Sequence, residues 1–191
     1  MAFKLKILIP IIFALAFYTN QIFGQKLINN VGVNFFGVNI PPINRTILQY
    51  SLSYFPQINI KEFNNSSITI GSPLGIGVYI ERGGDFDIFT HFNYEIPLVL
   101  DYNIGLTSKE SLKKIGCYFG FGFSYNHYSF KEETTYSFTG ASYGLLYRAG
   151  IKLKKQKGFF SNHINSIGLY YLEGMELNKL KTVGLSFFLG L

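Results

Sequence analysis

Hydrophobic and polar residues alternate along most of this chain. In the terminal stretch TVGLSFFLGL, Val183, Leu185, Phe187, Leu189 and Leu191 share one parity, opposite Thr182, Gly184, Ser186, Phe188 and Gly190. A period of two predicts a strand, because successive side chains point to opposite faces. The same split runs through Thr46–Phe55, Ser67–Ile80, Asn93–Gly105, Ile115–Phe130 and Ser142–Leu153. In Asn93–Gly105, for example, Tyr94, Ile96, Leu98, Leu100, Tyr102 and Ile104 oppose Glu95, Val99, Asp101 and Asn103. Two weaker segments, 29–40 and 160–172, bring the predicted strands to eight. Glycine falls on the less apolar parity at Gly71, Gly75, Gly77, Gly120, Gly122, Gly144, Gly150, Gly184 and Gly190. Small residues there suit the lumen of a narrow barrel.

Charge decides which face is wet. Residues 27–44, 63–80, 115–130 and 182–191 contain no Asp, Glu, Lys or Arg. The charges gather between the predicted strands, at 61–62, 81–85, 109–114, 131–133, 152–157 and 173–181. A soluble barrel of lipocalin type would turn its apolar side inward and need a charged exterior, which these strands lack. Charge on a lipid face costs about 2–4 kcal/mol at mid-bilayer, and open sheet edges in lipid leave backbone groups unpaired. The sequence therefore predicts an all-β fold: an eight-stranded antiparallel up-and-down transmembrane β-barrel. Inward turns are expected near 61–66, 106–114 and 154–159, and outward loops near 40–45, 81–90, 130–141 and 173–180. Tyr50, Tyr54, Tyr94, Tyr102, Tyr125, Tyr143, Tyr147 and Tyr171 lie on the lipid parity, and some of them are expected in interfacial girdles.

Composition agrees. Only 15% of the 191 residues are charged, against about 25% in average soluble chains. The single Cys excludes an intrachain disulfide framework and a Cys-based zinc site. At the start, Lys4 and Lys6 precede an apolar run, Ile7 to Phe17, and a small Gly24. That layout predicts a secretory signal peptide over 1–24 and a barrel domain over 25–191. The run is too short for a spanning helix. Losing 1–24 would take the formal charge from +6 to +4, since two lysines go with it.

The stretches SSITIGSPLGIGVYI, NYEIPLVLDYNIGL, IGCYFGFGFSYNHYSF, GASYGLLYRAGIKL and KTVGLSFFLGL resemble the small outer-membrane β-barrel proteins of Bacteroidetes-type bacteria. The resemblance implies an outer-membrane location and insertion by the outer-membrane assembly machinery. Such chains often end in an aromatic residue, whereas this one ends in Leu191 behind Phe187 and Phe188.

Chemistry is sparse. Glu95, Asp101, Arg148 and Lys152 are expected in the lumen, as a charge network that fills it rather than a conduit. In Asn126-His127-Tyr128-Ser129, a His can serve as base to a Ser hydroxyl. The spacing is similar to the His-x-Ser of outer-membrane lipid A deacylases. That resemblance would make His127 the base and Ser129 the nucleophile. The Asn-Ala-Gly expected after the Ser is Phe130-Lys131-Glu132 here. Glu132 and Glu133 stand too close to match the family's acid, and Ala141 lies near its expected position. His91, His127 and His163 have no metal-ligand spacing, and Cys117 reads as a small hydrophobe. The sequons at Asn44, Asn64 and Asn65 are read as chance. IGSPLGIGV lacks the Lys of a phosphate loop. Lys152, Lys154, Lys155 and Lys157 form the densest basic patch, read as a solvated turn.

No catalytic, cofactor-binding or metal residue is assigned, and no cofactor is expected. The expected role is non-enzymatic: structural, or surface contact in the cell envelope. The expected partners are outer-membrane lipid, lipopolysaccharide, the assembly machinery and an unidentified envelope protein, with no nucleic acid. Two alternatives stand beside it: the His127–Ser129 lipid esterase, and a soluble exported lipocalin-like barrel binding an apolar ligand.

Overall fold

A computed structural model describes residues 27–40, 45–82, 88–106, 113–131, 137–154, 164–175 and 180–191. The leader expected at 1–24 lies outside them. The described residues form β1 (Leu27–Ile40), β2 (Arg45–Glu62), β3 (Ser66–Gly71), β4 (Leu74–Arg82), β5 (Ile88–Ile104), β6 (Ile115–Lys131), β7 (Ser137–Lys154), β8 (Ile164–Gly174) and β9 (Lys181–Gly190). All pairings are antiparallel.

β3 and β4 are two halves of one stave. Both pair with β2 on one side and β5 on the other. The break falls at Ser72-Pro73, opposite Pro56 and Pro97. Proline has no N–H to give a ladder. Backbone bonds from Ser72 N to the Pro56 carbonyl (3.1 Å) and from Leu74 N to the Ser72 carbonyl (2.9 Å) bridge the gap. The Ser72 hydroxyl also donates to the Pro97 carbonyl. Eight staves result, and β1 pairs with β9, so the sheet closes without an edge.

The register fixes the geometry of closure. From Leu27, neighbours run through Ile58, Ile70, Leu100, Phe121, Tyr147, Tyr171 and Val183 to Gly37. One circuit thus displaces β1 by 37 − 27 = 10 residues. With eight staves, that stagger requires strands tilted by about 40° to the axis.

The inside-out pattern expected from the sequence is present. Among the described residues, 21 buried side chains are polar or charged and 12 are apolar. Leu52, Ile76, Leu98, Phe121, Leu169 and Val183 are each more than half exposed. β9 alternates strictly between exposed and buried positions. The soluble lipocalin-like alternative needs a greasy interior. Its lining would have to replace Asn30, Asn34, Gln49, Gln57, Asn93 and Asn126, all buried here, so that alternative is set aside.

Strand length departs from expectation. A membrane strand needs about 9–11 residues, but β2, β5, β6 and β7 have 17 or 18. Lys61, Glu62, Glu81, Arg82, Lys131, Lys154 and Glu173, expected between strands, lie on strand ends. The weaker segments run over Leu27–Ile40, against 29–40 expected, and over Ile164–Gly174, past the expected end at 172, while residues 160–163 lie outside the described residues. Gly105, at the exit of β5, has φ of 86°, a left-handed conformation that glycine adopts without strain.

Tilt and register together set each residue's height along the axis. Tyr50, Tyr94, Tyr125 and Tyr143 come within about 4 Å of one level, forming a tyrosine girdle at the end away from the chain termini. Tyr102 lies towards the opposite edge. Tyr54 and Tyr147 are not girdle residues, since they sit roughly 10 Å nearer the middle of the apolar belt. The Tyr54 hydroxyl donates to Asn29 Oδ1 at 2.9 Å, and Tyr147 stacks on Tyr171 with ring centroids 6.5 Å apart.

Candidate functional site

Inward side chains close the lumen with a plug centred on Arg148. Its guanidinium lies 4.6 Å from the Phe55 ring centre and 4.7 Å from that of Tyr118. The two rings hold the cation between their π-faces. Phe188 packs on Phe55 with centroids 5.2 Å apart. Val99, Leu146 and Leu172 complete a small apolar cluster, with Tyr170 against it. Arg148 Nε lies 3.5 Å from Asp101 Oδ1, both side chains buried. Lys152 Nζ stands 5.8 Å from the centre of the Tyr118 ring.

Amides extend this network. Gln57 donates to Asp101 Oδ2 at 3.1 Å and to Thr69 at 3.4 Å. Asn30 donates to Gln57 Oε1 at 3.2 Å. Asn103 donates to Thr69 at 3.2 Å and Ser67 at 3.3 Å. Towards the tyrosine girdle, Asn93 donates to Gln49 at 2.8 Å and Asn34 to Ser53 at 2.7 Å. Each bond spans two staves, so the polar interior ties the barrel wall to itself.

Glycines make room for the plug. A Cβ at Gly120 would strike the Asp101 carboxylate and come within 2.9 Å of the Arg148 side chain. A Cβ at Gly168 would meet the Tyr118 hydroxyl. Of the glycines on the polar parity, Gly71, Gly75, Gly77, Gly120, Gly150 and Gly184 abut inward side chains, whereas a Cβ at Gly122, Gly144 or Gly190 would meet the backbone of the neighbouring strand.

Next to the plug lies a cavity of about 30 Å³, lined by residues that include Asn34, Glu95, Ser124, Asn126, Arg148 and Phe188. It has room for roughly two waters and none for a solute. Glu95 Oε1 and Asn34 Oδ1 are buried without a protein partner. Water is the partner such atoms ordinarily take. The arrangement is a filled, polar interior. Glu95, Asp101, Arg148 and Lys152 all face it as expected, and all are buried. Lys152 therefore does not belong to an exposed turn patch with Lys154, and Lys155 and Lys157 lie outside the described residues.

His127 and Ser129 are on β6 with outward parity. The His127 ring stacks on Tyr94, centroids 4.9 Å apart. Its register neighbours are Tyr94 and Ala141, and those of Ser129 are Phe92 and Thr139. No carboxylate occupies a register position beside either residue. The Ser129 backbone lies about 10 Å beyond Tyr125 along the axis, past the girdle. Glu132, Glu133 and His163 fall outside the described residues. Among the described residues, no three of His, Cys, Asp and Glu gather as metal ligands would, and no helix is long and apolar enough to cross a membrane. Cys117 is half-buried on the outward parity.

Fold and interior together define a closed eight-stranded β-barrel that is oily outside and polar inside. No protein-family model matches the chain, and no curated protein is significantly similar to it. Solved structures are similar in fold. Ail, the attachment invasion locus protein of Yersinia pestis, in complex with the heparin analogue sucrose octasulfate, aligns with a TM-score of 0.54 at 11% identity. The alignment covers 87% of this chain and 97% of that one. A second Ail structure aligns at 0.55 and 9% identity, covering 86% and 95%. The N-terminal β-barrel domain of Pseudomonas aeruginosa OprF aligns at 0.47 and 14% identity, covering 87% and 100%. At such identities the likeness to Ail shows the fold alone.

Proposed function

We propose that this protein is an integral outer-membrane β-barrel with a non-enzymatic role, structural or surface-interacting, in the cell envelope. One observation carries the proposal: a continuous belt of exposed Leu, Ile, Val and Phe surrounds a polar, plugged interior. Contiguous apolar surface on that scale is untenable in water and suits hydrocarbon. Residues 1–24 serve as the export signal and 25–191 as the barrel. The resemblance to Bacteroidetes-type barrels supports insertion by the outer-membrane assembly machinery. Lipid and lipopolysaccharide are the surrounding partners, and the loops at the girdle end are where an envelope protein would be met. Ail's complex with a sulfated saccharide analogue is a precedent for surface contact on this fold. The girdle-end connections here, 40–45, 81–88, 131–137 and 173–181, carry five basic and seven acidic residues, so a polyanion is a poor match for them.

Fractionation tests the proposal. The protein should remain with the outer membrane through a carbonate wash, and recovery in the soluble periplasmic fraction would overturn it. A second expected outcome separates this reading from the esterase. Detergent-purified wild type and Ser129→Ala should release fatty acid from lipid A at the same background rate. Release by the wild type that Ser129→Ala abolishes would establish the esterase instead.

A further inference from the structure

The two ends of the barrel differ in charge. The connections at the girdle end, 40–45, 81–88, 131–137 and 173–181, sum to −2 from five basic and seven acidic residues. At the other end, 61–65, 105–114 and 154–163 carry seven lysines and two glutamates, a sum of +5. Every connection at that end contains at least one lysine.

Four of these seven lysines, Lys61, Lys113, Lys114 and Lys154, are among the described residues, and they adjoin the apolar belt. Lys61, Lys113 and Lys114 are exposed. Lys61 follows exposed Ile60 and sits 5.1 Å from the centre of the exposed Phe63 ring. Lys114 precedes Ile115, and Lys154 follows Leu153, both exposed apolar residues. Lysine stems in such places lie along apolar surface while the ammonium reaches the polar layer. At the edge of a hydrocarbon belt that layer is the plane of lipid phosphates.

We infer that this end of the barrel is a cationic collar that binds the phosphates of anionic glycerophospholipids. The inference rests on the membrane-inserted reading above. Charge complementarity selects the occupant: Lys61, Lys113, Lys114 and Lys154, at the belt edge and spread over three connections, fit several headgroups better than one soluble anion. Each lysine near such a surface contributes attraction worth a few-fold in affinity.

The test uses the full chain folded into vesicles of equal phosphatidylcholine and phosphatidylglycerol. The barrels are extracted in mild detergent, and retained lipid is identified by native mass spectrometry. Wild type should retain phosphatidylglycerol over phosphatidylcholine by at least about fivefold. The variant Lys61→Gln/Lys113→Gln/Lys114→Gln should lose most of that preference, and Arg at the same three positions should keep it. Equal retention of both lipids by the wild type, or an unchanged preference in the Gln variant, would overturn the collar. Release of the lipid by millimolar inorganic phosphate would reassign the site to free phosphate and overturn it as well. Heat-modifiable migration of the same samples reports insertion separately. A barrel that inserts without lipid preference contradicts only the collar, whereas one that never inserts contradicts the membrane reading.

Discussion

Phe121→Arg should destabilise the inserted barrel by about 2–4 kcal/mol, although Phe121 is 61% exposed. On a water-soluble protein, a substitution at so exposed a site is ordinarily within about 0.5 kcal/mol of neutral. The difference is the solvent. Phe121 lies on β6 near mid-belt, between Leu100 and Tyr147 in register, where a guanidinium would have to leave water for hydrocarbon. Urea unfolding in vesicles, followed by loss of the heat-modifiable band, measures the effect. A shift near zero would mean that the belt faces water.

Arg148→Ala should cost the barrel roughly 3–5 kcal/mol, because it leaves the buried Asp101 carboxylate without its cation. Part of the loss comes from the Phe55 and Tyr118 rings, between which the guanidinium is held. Arg148→Lys should recover only part, since an ammonium lacks the planar stacking surface. Arg148→Met combined with Asp101→Asn should be markedly milder than the sum of the two single changes, because no charge is then stranded. The same urea titration reads all five variants, the two single changes Arg148→Met and Asp101→Asn included. Strict additivity of the pair would show that Arg148 and Asp101 do not interact.

What the sequence disclosed, and what it concealed, follows from the physics of a strand in two solvents. Inside the hydrocarbon every outward residue must be apolar, so parity is written plainly from Ile115 to Tyr125 and from Val183 to Leu189. Beyond the belt that demand ends. Lys61-Glu62, Glu81-Arg82 and Lys131 therefore read as loop while the backbone continues to pair. The Ser72-Pro73 break was hidden because parity continues across it, from Ile70 to Leu74. Parity also places a side chain inside or outside but says nothing of height. Glu95, Asp101, Arg148 and Lys152 were legible as lumen residues one by one. That Arg148 meets Asp101 and Tyr118 depends on the pairing register through Gly120, and that it meets Phe55 depends on the closure that brings β2 across the lumen. Phe55, Val99, Leu146, Leu172 and Phe188 stand on the polar parity as apparent exceptions, and only register shows that they meet as one plug. His127 and Ser129 illustrate the reverse: a suggestive spacing whose lateral neighbours, Tyr94, Ala141, Phe92 and Thr139, offer no carboxylate.

The central claim is directional, and two adjacent residues of β9 test it. In a Cys117→Ala background, nitroxide labels are placed singly at Leu185→Cys and Ser186→Cys in the vesicle-inserted barrel. Collision with lipid-dissolved oxygen and with a water-soluble nickel chelate is then compared by electron paramagnetic resonance. The label at 185 should be mobile and open to oxygen but shielded from nickel, while the label at 186 should be immobilised and shielded from oxygen. A label at 185 that nickel reaches freely, or one at 186 that oxygen reaches from the lipid, would contradict the account.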